Sequence, residues 1–122
     1  MSKRTRLLYV DDEDSLRMLV EGQLEVEGFQ VETADDGDTG IALLDKHSYD
    51  VVLLDMRMPR VSGIEVLKHM RERKIASRVI ILTAVDDLSV AIEAVKNGAS
   101  DYLTKPYELG VLLASIKRVL AK

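Results

Sequence analysis

Val51-Val52-Leu53-Leu54-Asp55 is the segment on which the fold of this chain turns. Four consecutive Val and Leu residues without a polar interruption suit a strand covered on both faces, and such strands belong to parallel sheets with helices packed above and below. The run ends on a carboxylate. Similar apolar runs stand at Leu7 to Val10, which leads into Asp11-Asp12, and at Val79 to Leu82, which leads into Thr83. Phe29 to Ala34 instead alternates, with Phe29, Val31 and Thr33 set against Gln30 and Glu32, the pattern of a strand nearer a sheet edge. Asp101-Tyr102-Leu103 is a short fifth strand that runs into Thr104-Lys105.

Stretches of helical period separate these runs. Leu16, Leu19, Val20 and Leu24 mark the first helix, with Asp14 as its N-cap and Gly28 just past its end. Ile41 and Leu44, beside Ala42 and Leu43, mark a second, weakened by Gly40; Ile64, Leu67 and Met70 line a third. Val90, Ile92, Ala94 and Val95 mark a fourth that ends near Asn97-Gly98, and Leu109, Leu112, Leu113, Ile116 and Leu120 give a fifth with the clearest amphipathic pattern. Parallel neighbours need crossover helices, and the crossovers are right-handed. Strand then helix, repeated along the chain, therefore predicts an α/β fold: a doubly wound five-stranded parallel sheet flanked by five helices, as one domain over residues 1–122.

Composition narrows the function. With 122 residues, 47% hydrophobic and 31% charged, the chain has the make-up of one ordinary globular domain. Its 17 Lys and Arg against 21 Asp and Glu give a formal net charge of −4, which disfavours direct nucleic-acid or anionic-membrane binding. Cysteine is absent, which excludes disulfides, thiolate metal sites and thiol catalysis, and His47 and His69 lie too far apart for a short-range metal motif. The apolar run after the basic Met1 to Arg6 segment is one strand long, so it is not a signal peptide, and no apolar stretch approaches membrane-spanning length. A cytoplasmic location is expected. The chain closes at Lys122 with the fifth helix, so no output domain is expected within it.

In an open parallel sheet, ligands bind beyond the carboxyl ends of the strands. Asp11, Asp12, Asp55, Thr83 and Lys105 all follow apolar runs and so converge on that edge. Carboxylates held together raise one another's proton affinity unless a cation sits among them, and hard oxygen ligands with few protein donors suit Mg²⁺. Lys105 adds a point charge and Thr83 a hydroxyl donor, completing an inventory for phosphoryl transfer.

The segments Leu8-Tyr9-Val10-Asp11-Asp12-Glu13, Leu53-Leu54-Asp55-Met56-Arg57-Met58-Pro59, Gly63, Thr83-Ala84 and Asp101-Tyr102-Leu103-Thr104-Lys105-Pro106 stand in the order and spacing of one family. Over essentially its whole length the chain resembles the receiver domain of two-component response regulators, which includes the single-domain chemotaxis regulators. The resemblance implies a flavodoxin-like sheet of order 2-1-3-4-5 and Asp55 as phosphoacceptor, loaded from a phosphohistidine on a sensor histidine kinase or phosphotransfer protein, or from a small phosphodonor. It implies that Asp12, Asp55 and the Arg57 backbone carbonyl ligate Mg²⁺, with Asp11 acting through the metal's water shell. Thr83, Ala84 and Lys105 would hold the phosphoryl group. Thr83 and Tyr102 would form the switch, the hydroxyl moving to the phosphoryl group and the ring turning inward, so that the face of helix four, strand five and helix five changes its affinity for partners.

The resemblance further implies a cis Lys105-Pro106 bond, kinase docking on helix one with its adjacent loops, and phosphorylation-dependent homodimerisation. Arg57 and Val85, each two residues past a site residue, would govern water access. Tyr107 replaces the family's more frequent Phe, a departure expected to leave the site unaffected. The acceptor segment looks most like that of receivers attached to transcriptional activators, so an output domain or a downstream protein is the implied target.

Plainer readings apply elsewhere. Asp35-Asp36-Gly37-Asp38 and Asp86-Asp87 read as turns and N-caps before helices two and four. His47 and His69 read as exposed helix residues, and Met18, Met56, Met58 and Met70 as packing elements. Two other functions compete: a receiver relative acting as a binding module without accepting phosphate, and a phosphohydrolase with an Asp nucleophile. The haloacid dehalogenase-like pattern of the latter wants a second Asp where Arg57 stands. A flavin carrier is disfavoured by the lack of a Ser/Thr/Gly-rich loop after strand one.

Overall fold

Every apolar run becomes a strand. The computed structural model describes residues 4–84 and 87–121, so the readings placed on Val85 and Asp86 lie outside the described residues. The strands are β1 (Arg6–Val10), β2 (Gln30–Ala34), β3 (Val51–Asp55), β4 (Arg78–Ala84) and β5 (Asp101–Lys105). The helices are α1 (Asp14–Val26), α2 (Gly37–Lys46), α3 (Gly63–Glu72), α4 (Leu88–Lys96) and α5 (Leu109–Leu120). All strand pairs are parallel, in the order β2-β1-β3-β4-β5. The alternating strand lies at one edge, as its pattern predicts, and β3 is buried along its whole length at the centre.

Side-chain alternation divides the core in two. Leu8, Val10, Val52, Leu54, Val79 and Ile81 face a layer built from Leu44 of α2, Val66, Leu67 and Met70 of α3, and Ala94 of α4. Leu7, Tyr9, Val51, Leu53, Ile80 and Leu82 face Val20 and Leu24 of α1 and Leu112, Ile116 and Val119 of α5. One face thus carries three helices and the other two.

That division corrects three details of the periodicity. Leu19 and Met18 are exposed rather than packed, because α1 turns Val20 and Leu24 inward and only one other helix shares its face. On α4 the small residues Ala91 and Ala94 make the core contact, leaving Ile92 and Val95 outside together with Leu88. Leu120 is partly exposed, and Val119 takes the buried place near the end of α5.

The ends of the elements follow local chemistry. Asp36 caps α2 by accepting from the Thr39 backbone N–H at 2.7 Å. Asp14 is the first residue of α1 rather than its cap; Glu13 holds the cap position without a side-chain bond, and Asp14 pairs with Arg17 at 2.6 Å. Gly28 and Gly98 follow α1 and α4 with φ of 99° and 102°, as chain-reversing residues do. Gly40, which weakens α2 by propensity, has a tertiary reason: an added Cβ would stand 3.1 Å from a Val10 methyl, so the missing side chain lets α2 approach β1 closely. His47 is exposed past the end of α2 as expected, but His69 is half-buried, its ring nitrogen 2.9 Å from Asp45 across the α2 and α3 contact. Met56, Met58 and Met70 are buried as packing residues.

Candidate functional site

The carboxyl ends of β1 and β3 are neighbours in the sheet, and the residues that follow Val10 and end β3 meet there. One carboxylate oxygen each from Asp11, Asp12 and Asp55 lies within 4.8 Å of the others. Asp11 is fully buried and Asp55 nearly so, whereas Asp12 is exposed. Lys105, at the end of β5, brings its Nζ to 3.1 Å from Asp11 Oδ2 and 3.5 Å from Asp55 Oδ2. Strand parity explains the grouping: Asp55 and Lys105 continue the rows of Leu53 and Leu103, and Asp11 that of Tyr9, all on the α1 and α5 side of the sheet.

Burial pushes the Asp55 carboxyl up to about 6; Lys105 pulls it back down, while the neighbouring charges of Asp11 and Asp12 push it further up. Lys105 is held above its ordinary value: its own burial opposes this, but Asp55 and Asp11 prevail. A pocket of three carboxylates sharing one ammonium is short of positive charge. Its hard oxygen donors fit a divalent cation such as Mg²⁺, with Asp11, Asp12 and Asp55 as the available side-chain ligands.

On β4, Leu82 stands opposite Asp55, Thr83 lies one residue further along, and Ala84 stands opposite Lys105. Thr83 is buried, and its hydroxyl donates at 3.5 Å, the limit of a hydrogen bond, to the Ala84 carbonyl; among the described residues it makes no bond to the carboxylates. Tyr102, in β5, is 38% exposed, with its ring on the surface rather than in the core. The Lys105-Pro106 bond is cis, as expected.

The β3–α3 loop is held from both sides. The Met56 backbone N–H donates to the Leu82 carbonyl at 3.1 Å, and the Gly63 N–H to the Met56 carbonyl at 3.1 Å. The Arg57 N–H reaches Asp55 Oδ1 at 3.4 Å. The Arg57 guanidinium forks onto both carboxylate oxygens of Asp87, and this holds the Asp87 carboxyl below the usual carboxylate range. Asp87 does sit at the start of α4, but its side chain makes no cap bond; it ties the β3–α3 loop to α4 instead. The cap reading of Asp87 is corrected accordingly, because a bidentate guanidinium outcompetes a backbone N–H for a carboxylate.

Tyr107 also departs from expectation. The Tyr9 hydroxyl donates to Asp11 Oδ2 at 2.7 Å, and the Tyr107 hydroxyl lies 3.2 Å from that of Tyr9. The residue expected to leave the site untouched is therefore connected to it. Burial holds both phenols above their ordinary range, so both stay protonated donors at neutral pH. The signal for Tyr9 was present in the sequence: on a strand, a long side chain two residues before Asp11 points the same way. Nothing local foretold that Tyr107 would reach it from a loop 98 residues away.

A doubly wound parallel sheet with an acidic, cation-seeking pocket and one lysine at its carboxyl edge defines an α/β protein built to handle a phosphoryl group. Residues 7–117 match the family model described as response regulator receiver domain. The chain is 40% identical over 117 residues to the transcriptional regulatory protein TrcR of Mycobacterium tuberculosis, covering 96% of this chain and 46% of that protein. It is 38% identical over 120 residues to the regulatory protein AtoC of Escherichia coli, covering 98% of this chain and 26% of AtoC. Among solved structures, the chemotaxis response regulator CheY4 of Vibrio cholerae superposes with a TM-score of 0.89 at 32% identity, covering 96% of this chain and 99% of that one.

This chain belongs to the response regulator receiver domain family, whose members are the phosphoacceptor domains of two-component systems. It spans less than half the length of TrcR and about a quarter of AtoC. Among the described residues no helix is long and apolar enough to cross a membrane.

Proposed function

We propose that Asp55 is the phosphoacceptor and that the chain relays a signal from a sensor histidine kinase or phosphotransfer protein in a Mg²⁺-dependent reaction. The observation that carries this reading is the meeting of Asp11, Asp12 and Asp55 around Lys105 at the end of the central strand. An Asp55 carboxylate oxygen attacks phosphorus, the bond from phosphorus to the donor imidazole nitrogen or donor oxygen breaks, and an acyl phosphate forms on Asp55. Asp12, Asp55 and the Arg57 carbonyl, with Asp11 through water, would hold Mg²⁺, which would neutralise the phosphoryl charge. Lys105 already faces Asp55, and a short movement carries its ammonium onto the transferred oxygens. The Met56 and Gly63 backbone bonds fix the loop and hence the direction of attack. Thr83 and the Ala84 N–H, one and two residues past Leu82 opposite Asp55, would receive the phosphoryl group, and the exposed ring of Tyr102 would turn inward as Thr83 moves.

Intact mass after incubation with acetyl phosphate tests this. A single phosphate-sized gain is expected with Mg²⁺, and none with chelator or in Asp55→Asn; a gain that persists in that variant, or none in the wild type, would overturn it. Repeated turnover on a small phosphomonoester would favour the phosphohydrolase reading instead.

The exposed Leu88, Ile92, Val95, Tyr102 and Val111 support α4, β5 and α5 as the output face, toward a downstream protein, an output domain or a second copy. Sedimentation of the protein with and without beryllofluoride is expected to show a rise in mass on activation. An unchanged monomer would remove the homodimer from this reading.

A further inference from the structure

We propose that Tyr9 and Tyr107 form a two-hydroxyl relay that positions Asp11 and thereby sets how Lys105 is shared between Asp11 and Asp55. A phenol has one proton, and an ionised carboxylate only accepts. Tyr9 must therefore spend its proton on Asp11 Oδ2, at 2.7 Å, and its oxygen is left to accept from Tyr107, at 3.2 Å. The direction of the chain is fixed: Tyr107 donates to Tyr9, and Tyr9 donates to Asp11.

Asp11 is gripped on every side. Its Oδ1 accepts from the Glu13 N–H at 2.9 Å, its backbone carbonyl from Arg17 at 2.7 Å, and its own N–H donates to the Ala34 carbonyl at 3.1 Å. Its Oδ2 is the point of competition, because Tyr9 and Lys105 both donate to it. A carboxylate oxygen that already accepts a short bond from a phenol attracts an ammonium less. The Tyr9 hydroxyl thus leaves Lys105 divided, at 3.1 Å from Asp11 and 3.5 Å from Asp55, and available to the acceptor. Tyr107 strengthens Tyr9 as a donor and lies two residues past Lys105, so the loop carrying the lysine also carries the far end of the relay. Tyr9 is fully buried, so no water can replace its hydroxyl without rearrangement.

Both are positioning residues, and their loss has a signature that general damage lacks. In Tyr9→Phe, Asp11 keeps its charge with one donor fewer. The pocket keeps its net charge but loses a donor dipole at Asp11 Oδ2, and Lys105 settles on Asp11. Titration calorimetry with Mg²⁺ alone is expected to give tighter binding by about three- to tenfold, the weight of one ordinary hydrogen bond. Phosphorylation by acetyl phosphate at saturating Mg²⁺ is expected to slow by a similar factor, as Asp55 loses its share of the ammonium. Tyr107→Phe should move both quantities the same way by less. The Tyr9→Phe/Tyr107→Phe double variant should match Tyr9→Phe, since Tyr107 acts only through Tyr9. Thermal unfolding verifies that each variant is folded.

Weaker Mg²⁺ binding, no change in Mg²⁺ affinity, or additive single effects would overturn the relay. The rate arm rests on Asp55 being the acceptor, and the Mg²⁺ arm does not. If the wild type takes up no phosphate, the proposed function fails while the Mg²⁺ titration still judges the relay. If the wild type is phosphorylated on Asp55 and the tyrosine variants bind Mg²⁺ as it does, the relay alone fails.

Discussion

Asp55→Asn is expected to abolish phosphate uptake and, in metal-free protein at neutral pH, to make the fold more stable than the wild type. The first half follows from chemistry: an amide oxygen is too weak a nucleophile to displace the donor group, and it cannot form the acyl phosphate. The second follows from the pocket. The Asp55 carboxyl stands at about 6 in the folded chain, against an ordinary value of 3.8, chiefly because of burial.

Between those two values the native chain holds a proton that the unfolded chain has released. Stability therefore falls as pH rises from about 4 to about 6 and stays reduced above that window. At pH 7 to 8 the ionised, nearly buried side chain costs on the order of 2–3 kcal/mol, which the amide avoids. Urea unfolding in chelator should show the variant more stable than the wild type at pH 7.5, with the gap closing toward pH 4. Saturating Mg²⁺ should narrow the gap from the other side, since a cation that binds only the folded wild type stabilises it. A variant less stable than the wild type at pH 7.5 in chelator would mean that Lys105 fully compensates Asp55. Under the proposed function, the same trade of stability for reactivity accounts for a carboxylate at the end of a strand that is otherwise entirely apolar.

Gly63→Ala is expected to be strongly destabilising. Gly63 opens α3 directly against the acceptor loop, and an added Cβ would stand 2.5 Å from the Asp55 carbonyl oxygen and 2.8 Å from Met56 Cα. Both are backbone atoms, so neither can swing aside as the tip of a flexible side chain can. Either α3 shifts away from β3, opening the packing of Val66 and Leu67, or the loop shifts and breaks the Gly63 to Met56 bond at 3.1 Å.

A loss of about 3 kcal/mol or more is expected, in the upper range for inserted methyl groups, together with weakened Mg²⁺ binding as Asp55 moves. Gly22→Ala, at an exposed site on α1 where an added Cβ would meet nothing within 4 Å, is the control. It should be neutral or slightly stabilising by helix propensity. Equal unfolding midpoints for the two variants would show that the α3 contact does not hold the acceptor loop.

How much was legible beforehand varies with the range of the forces involved. The five strands and the five helices follow from hydrophobic period, because burial on two faces, on one face or on a stripe leaves different marks on a sequence; the central place of Val51 to Asp55 came only with the strand order that the family resemblance implies. The acidic pair after β1 and the carboxylate after β3 were legible for the same reason, since strand ends in a parallel sheet share one edge. Leu19 and Ile92 show the limit of periodicity. An apolar residue at helical spacing is buried only if a neighbouring element covers it, and coverage is settled by how many helices share a face.

What the sequence alone determined is the architecture and the set of reactive groups at one edge, since both rest on local pattern and chain order. Only the tertiary structure decided the partners of those groups: Arg57 with Asp87, Lys105 divided between two carboxylates, and Tyr107 reaching Asp11 through Tyr9. Such pairings depend on ångström distances between side chains far apart in the chain. Hydrogen bonds and ion pairs fall off within those distances, and no one-dimensional pattern records them.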